Sequence, residues 1–120
     1  MRILLIEDEF LVAAAVEATL DFMGYEVIGP VATVERALAA LADGPRPDAA
    51  IVDLNLRGEA SLPVADELVR RKIPFVFATG YDEDKTVAHR FLGAKWLRKP
   101  FTDKQIRESL AEIGLDAGAG

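Results

Sequence analysis

The chain has 120 residues, of which 51% are hydrophobic and 28% charged, a composition that suits one globular domain with a core of its own. It contains no cysteine, which excludes disulfides and thiolate metal sites and makes a reducing cytoplasm the expected location. The net charge of −6 argues against nucleic acid as the main partner, and no apolar run is long enough to span a bilayer.

The opening "RILLI" (2–6) is an apolar run bounded by "EDE", the pattern of a fully buried strand. The acids after it stand where a signal peptide would have small residues and a cleavage site. "FLVAAAVEATLDFMG" has the alanine content and apolar spacing of a helix, with Gly24 as its stop. "YEVIGPV" is a strand broken by Gly29-Pro30. "TVERALAALADG" predicts a second helix between an N-cap at Thr33 and a C-cap at Gly44.

A turn then leads into a third strand, "AAIVD", and a polar loop over 54–61 precedes a helix over 62–72. "IPFVFAT" is the fourth strand, opening on a proline as strands tolerate. "DEDKTVAHRFLG" predicts a fourth helix, acidic in its first turn and closed by Gly93. "AKWLRKP" is a short fifth strand. The last helix is "TDKQIRESLAEIG", where Thr102 and Gln105 have capping-box spacing. The domain is expected over 1–114, with 115–120 a frayed tail.

The order is β-α five times over, and three strands are continuous apolar runs. This predicts an α/β fold: a parallel sheet with helices on both faces, doubly wound by right-handed crossovers into a three-layer sandwich. In such sheets the functional crevice lies outside the carboxyl ends of the strands. Those ends carry Glu7 and Asp8, Asp53, Thr79-Gly80, and Lys99-Pro100. The acids also gather in one half of the chain: residues 1–60 hold 4 basic and 11 acidic residues, and residues 61–120 hold 10 and 9.

Each of these residues has an ordinary reading alone. Glu7 and Asp8 could favour the positive end of the first helix, Asp53 could cap a turn, and Thr79 and Lys99 could be loop and surface residues. Together they have a chemical purpose. Three carboxylates within several ångströms repel by roughly 3 kcal/mol per pair at an effective dielectric of 20, more than one ammonium cancels. A hard divalent cation relieves that repulsion, and Mg²⁺ suits a few carboxylates, waters and a substrate phosphate. With no cysteine and one histidine, zinc does not fit. A carboxylate can accept a phosphoryl group as an acyl phosphate, by catalysis that is mostly positioning and charge stabilisation. Asp53 is the candidate nucleophile. Lys99 and Thr79 would neutralise and hydrogen-bond phosphoryl oxygens, and Gly80 leaves room and offers an N–H.

These residues resemble the receiver domain of two-component response regulators, through "LLIEDE", "AIVDLNL", "FATG" and "LRKPF" in that order, over about residues 2–113. The resemblance implies a flavodoxin-like sheet of order 2-1-3-4-5. It implies Asp53 as phosphoacceptor, with Asp8, Asp53 and the backbone carbonyl of Asn55 on Mg²⁺ and Glu7 acting through water. Thr79 and Lys99 take the switch roles, and Lys99-Pro100 is expected to be cis. Phosphorylation, which adds nearly two negative charges, would repack the face made by the fourth helix, fifth strand and fifth helix. "FVFATGYDE" is similar to the FAT GUY subgroup of bacterial receivers. Trp96 holds the family's switch-aromatic place three residues before the lysine, and could equally be a strand residue packed on the last helix. Tyr81 is a candidate gate for hydrolytic water.

The implied partners are a sensor histidine kinase or histidine phosphotransfer protein as donor, and a downstream target protein. His89, the only histidine, reads as a surface residue of the fourth helix. Since no output domain follows, a single-domain regulator or phosphorelay intermediate is expected, a signalling switch and not an enzyme in the turnover sense. Two rivals stay open. One is a Mg²⁺-dependent aspartyl-phosphate phosphohydrolase, although "IEDEF" lacks that class's nucleophile spacing at the first strand. The other is a pseudo-receiver, an interaction module that takes no phosphate.

Overall fold

The computed structural model describes residues 1–80 and 95–114. In chain order the elements are β1 (Arg2–Ile6), α1 (Phe10–Phe22), β2 (Glu26–Val31), α2 (Val34–Asp43), β3 (Ala49–Asp53), β4 (Asn55–Leu56), β5 (Glu59–Ala60), α3 (Leu62–Arg70), β6 (Phe75–Thr79), β7 (Lys95–Arg98) and a C-terminal helix, α4 (Asp103–Glu112). The predicted helix over 82–93, with His89, and the tail lie outside the described residues.

Five parallel strands form one sheet in the order β2-β1-β3-β6-β7. Counting only the strands of that sheet, this is the expected 2-1-3-4-5. The continuous apolar runs are explained by burial on both faces. Leu4, Ile6, Ala50, Val52 and Phe77 pack with α2 and α3 residues such as Ala37, Leu41, Val64 and Leu68. The alternate residues Ile3, Leu5, Ala49, Ile51 and Val76 pack with Val16 and Leu20 of α1 and Ile106 and Leu110 of α4. A period of two thus feeds two cores from each strand. Each large aliphatic side chain fully buried in them is worth about 1.5–3 kcal/mol.

The helix ends follow the sequence closely. The Thr33 side chain accepts from the Arg36 N–H, and Thr102 and Gln105 form a reciprocal capping box at the start of α4. The helix expected over 62–72 ends at Arg70. Two expectations change. β2 is not broken at Gly29-Pro30: that bond is cis, the strand runs through it, and the irregularity appears as a shifted register between Leu4 and Ile6 of β1. The polar loop over 54–61 contains the short antiparallel hairpin β4–β5. Buried Ser61 anchors it, donating its N–H and its hydroxyl to the Leu54 carbonyl at 2.9 and 3.1 Å.

Candidate functional site

The two-residue alternation that builds the cores also assembles the site. Leu5, Ile51 and Leu97 all face the α1–α4 side of the sheet. Two residues further along each chain come Glu7, Asp53 and Lys99, which leave the strand ends toward that same side. The parallel registers Ile6↔Val52 and Asp53↔Ala78 put Glu7, Asp53 and Ala78 at one level across β1, β3 and β6. Thr79 follows Ala78, paired with Arg98, and its carbonyl accepts the Lys99 N–H at 2.8 Å. The Lys99-Pro100 bond is cis, as the resemblance implied.

Lys99 is the hub. Its Nζ lies 2.9 Å from Oε1 of Glu7, 3.0 Å from Oδ2 of Asp53 and 3.2 Å from Oε1 of Glu9. Glu7, Asp53 and Thr79 are buried. Asp8 joins the cluster from the loop after β1. Its Oδ2 accepts the backbone N–H of Arg57 at 2.9 Å, which ties the acidic loop to the hairpin. Asn55 donates its backbone N–H to Oδ1 of Asp53 at 3.1 Å, while its side-chain oxygen accepts the Gly58 N–H. Asp53 is therefore held from two directions before any ligand arrives.

Charge in the cluster is unbalanced. One carboxylate oxygen from each of Glu7, Asp8, Glu9 and Asp53 lies within 4.8 Å of all the others, against the single Lys99 ammonium. Burial, reinforced by the neighbouring Asp53, pushes the Glu7 carboxyl up to about 8. Burial also raises Asp53, against the opposing pull of hydrogen bonds from Glu7, Lys99 and Asn55. Asp8 goes the other way: its burial works upward, but the Arg57 N–H and its neighbours outweigh that and lower it. Desolvation works against the Lys99 ammonium, yet hydrogen bonds and charge from Glu7 and Asp53 raise it on balance. A pocket in which four carboxylates face one ammonium fits a hard divalent cation such as Mg²⁺.

The sequence reading did not single out Glu9 as a site residue. Its signal was the third letter of "EDE", but a residue at the start of a helix reads first as a cap, and only the fold shows its carboxylate turned to Lys99. Trp96 is half-buried and stacks on Phe77, with centroids 4.8 Å apart and planes at 24°. It packs toward the α2–α3 side of the sheet, so it is not a packing residue of the last helix. Gly80, Glu9 and Lys99 line a groove of about 620 Å³ together with Leu11, Val12, Ala15, Val16, Pro100 and Phe101. Tyr81, the proposed gate, lies outside the described residues.

Residues 3–111 match the response regulator receiver domain. The chain belongs to that family. The receiver is 30% identical over 113 residues to the phyllosphere-induced regulator PhyR of Methylorubrum extorquens, an alignment covering 92% of this chain and 42% of PhyR. It thus spans less than half the length of the curated relatives it matches. Among solved structures, SdrG from Sphingomonas melonis Fr1 superposes with a TM-score of 0.84 at 46% identity, covering 96% of this receiver and 97% of SdrG. The receiver domain of the sensor histidine kinase PA1611 from Pseudomonas aeruginosa, which has a magnesium ion coordinated in its active site cleft, superposes at 0.80 with 26% identity over 95% of this chain and 98% of that one. Receiver domains work in two-component signalling, where they meet histidine kinases and downstream effectors, and typically bind Mg²⁺ at an acidic pocket. Among the described residues, no helix of this receiver is long and apolar enough to cross a membrane.

Proposed function

We propose that this receiver is a phosphorylation switch that accepts a phosphoryl group on Asp53 from the phosphohistidine of a sensor kinase or histidine phosphotransfer protein in the cytoplasm. The observation that carries this reading is the position of the Lys99 ammonium, 3.0 Å from Oδ2 of Asp53 at the centre of an acidic cluster. Asp8, Asp53 and the Asn55 carbonyl would hold Mg²⁺, with Glu7 acting through water. Bound Mg²⁺ supplies positive charge to the oxygens of the transferring phosphoryl group.

The chain's own part is positioning. A carboxylate oxygen of Asp53 attacks phosphorus, the new P–O bond forms as the P–N bond breaks, and the imidazole leaves with the electron pair and takes a proton from solvent. The Asn55 N–H, bonded to Oδ1 of Asp53, limits the rotation of the nucleophile. Lys99 faces the growing charge, Thr79 supplies a hydroxyl, and Gly80 leaves room beside it. The resulting phosphoaspartate would redirect Lys99 and Thr79 and repack the face to which β7 and α4 belong, which a downstream protein then reads. The receiver catalyses its own modification without turning over a separate substrate.

Intact-mass measurement after incubation with Mg²⁺ and acetyl phosphate tests the reading. One phosphoryl group is expected on the native chain and none on Asp53→Asn. No gain on the native chain would identify a pseudo-receiver, and many turnovers of donor without accumulation would identify a phosphohydrolase.

A further inference from the structure

We propose that Glu9 is a positioning residue that keeps Lys99 engaged at the mouth of the site and, through its charge, selects against highly charged small-molecule phosphodonors. The proposal rests on the assignment of Asp53 as phosphoacceptor.

An ammonium has three N–H donors. Among the described residues, those of Lys99 meet three carboxylates, from Glu7, Asp53 and Glu9. The three contacts are unequal. Glu7 presents both oxygens to the ammonium, at 2.9 and 3.2 Å, and its side chain is 3% exposed, while that of Asp53 is 6% exposed. Glu9 presents one oxygen at 3.2 Å from a side chain that is 62% exposed. A phosphoryl oxygen that claims Lys99 must displace one partner, and the exposed Glu9 is the one that water compensates when it lets go.

Glu9 is also placed for this use by what it does not do. It is the N-cap residue of α1, yet its side chain makes no capping hydrogen bond. Its backbone N–H donates to Oε2 of Glu7 at 3.0 Å, so the main chain is fixed while the carboxylate turns to Lys99. With Gly80 and Lys99 it lines the groove beside the site. A carboxylate oxygen of Glu9 lies within 4.8 Å of one of Asp53, so a phosphoryl group that reaches Asp53 comes under the Glu9 charge.

The test compares two donors on the full chain with Mg²⁺ present: acetyl phosphate, a dianion near neutral pH, and phosphoramidate, which carries lower net charge. Glu9→Gln keeps the shape and removes the charge. Its phosphorylation rate with acetyl phosphate is expected to rise roughly five-fold, the effect of removing about 1 kcal/mol of repulsion, and its rate with phosphoramidate by only about two-fold, the effect of half that repulsion. The ratio of the two effects should shrink toward one in about 1 M salt, where screening acts over about 3 Å. Glu9→Asp, which keeps the charge, should preserve the native donor preference. Equal factors for both donors, or a ratio indifferent to salt, would overturn the proposal and leave Glu9 a partner of Lys99 with no part in donor choice. If the native chain takes phosphoryl from neither donor, the phosphoacceptor assignment itself fails, and that outcome is read separately.

Discussion

Nζ of Lys99 lies 3.0 Å from Oδ2 of Asp53, although 46 residues separate them and β6 runs between the strands they follow. Neighbouring strands are about 4.8 Å apart, so only a long side chain leaving on the correct face bridges two strand spacings. The ammonium is a structural counter-ion for two buried carboxylates as well as the group proposed to face the phosphoryl charge. Lys99→Ala should therefore destabilise the metal-free fold by about 3 kcal/mol, the usual cost of leaving buried charge unpaired. The loss should be smaller in acid, where Glu7 and Asp53 neutralise themselves, and Mg²⁺ should restore part of it. Denaturant titrations with EDTA and with Mg²⁺ at two pH values check this. A loss that does not depend on pH would mean that Lys99 acts by packing alone.

Stability should also depend on pH in the native chain. The Glu7 carboxyl is raised from 4.5 to about 8 in the fold, so between those values the folded state holds a proton that the unfolded state has released. Stability then falls as pH rises through that window, by up to about 1.4 kcal/mol per pH unit from this group. The raised Asp53 adds in the same direction. Asp8 is lowered and contributes a constant amount above its ordinary range, and raised Lys99 contributes a constant amount below its own. Urea unfolding in EDTA from pH 5 to 8 should thus show a falling midpoint. Saturating Mg²⁺, which competes with the Glu7 proton, should flatten or reverse it. A midpoint rising with pH in EDTA would refute the account.

How much of this was legible in the sequence depends on which residues one asks about. Asp53 and Lys99 could be placed because strand ends are marked by where apolar runs stop, and a parallel sheet brings those ends to one edge. The caps at Thr33 and Thr102 are local interactions with local signatures, and they appear as read. The contact of Lys99 with Glu9 could not be read, because it spans 90 residues and depends on one rotamer at a helix start. Nor could the hairpin β4–β5, whose strands are two residues each and have no periodicity to detect. At Gly29 the sequence offered a break, whereas the sheet accommodates it as an irregular register. There φ is +102°, and a side chain would meet the Leu5 carbonyl at 2.8 Å.

Ala78 is the β6 residue paired with Asp53 and is 2% exposed, between the strands that Lys99 has to bridge. A larger side chain there should obstruct that path as well as overfill the core. Ala78→Val is expected to cost about 1–3 kcal/mol of stability and to reduce phosphorylation of Asp53 by at least about ten-fold, the effect of about 1.4 kcal/mol on a barrier. Intact-mass time courses with acetyl phosphate, on protein shown by circular dichroism to be folded, measure the second effect. A variant that is less stable but phosphorylated at the native rate would show that Lys99 does not need the space above Ala78.

Asp8 separates metal binding from the ion-pair network, because it belongs to the acidic cluster and makes no ion pair with Lys99 among those seen in the described residues. Desolvation works upward on its carboxyl, but the Arg57 N–H and its neighbours outweigh that and lower it, so it stays charged at neutral pH and ready for a cation. Asp8→Asn retains an oxygen to accept from Arg57 and removes that charge. The metal-free variant should be modestly less stable than the native chain at neutral pH, because a lowered carboxyl is one whose charged form the fold favours. Mg²⁺ binding stabilises the native fold by RT ln(1 + [Mg²⁺]/Kd), about 2.7 kcal/mol at one hundred times Kd, and most of that increment should vanish in the variant. Thermal melts over a Mg²⁺ series, with Ca²⁺ as the larger competitor, give both quantities. If Asp8→Asn keeps the full increment, the cation is held elsewhere and the ligand set assigned to this site is wrong. If the metal-free variant is instead more stable than the native chain, the charge of Asp8 is net repulsive in the cluster and the Arg57 N–H does not offset it.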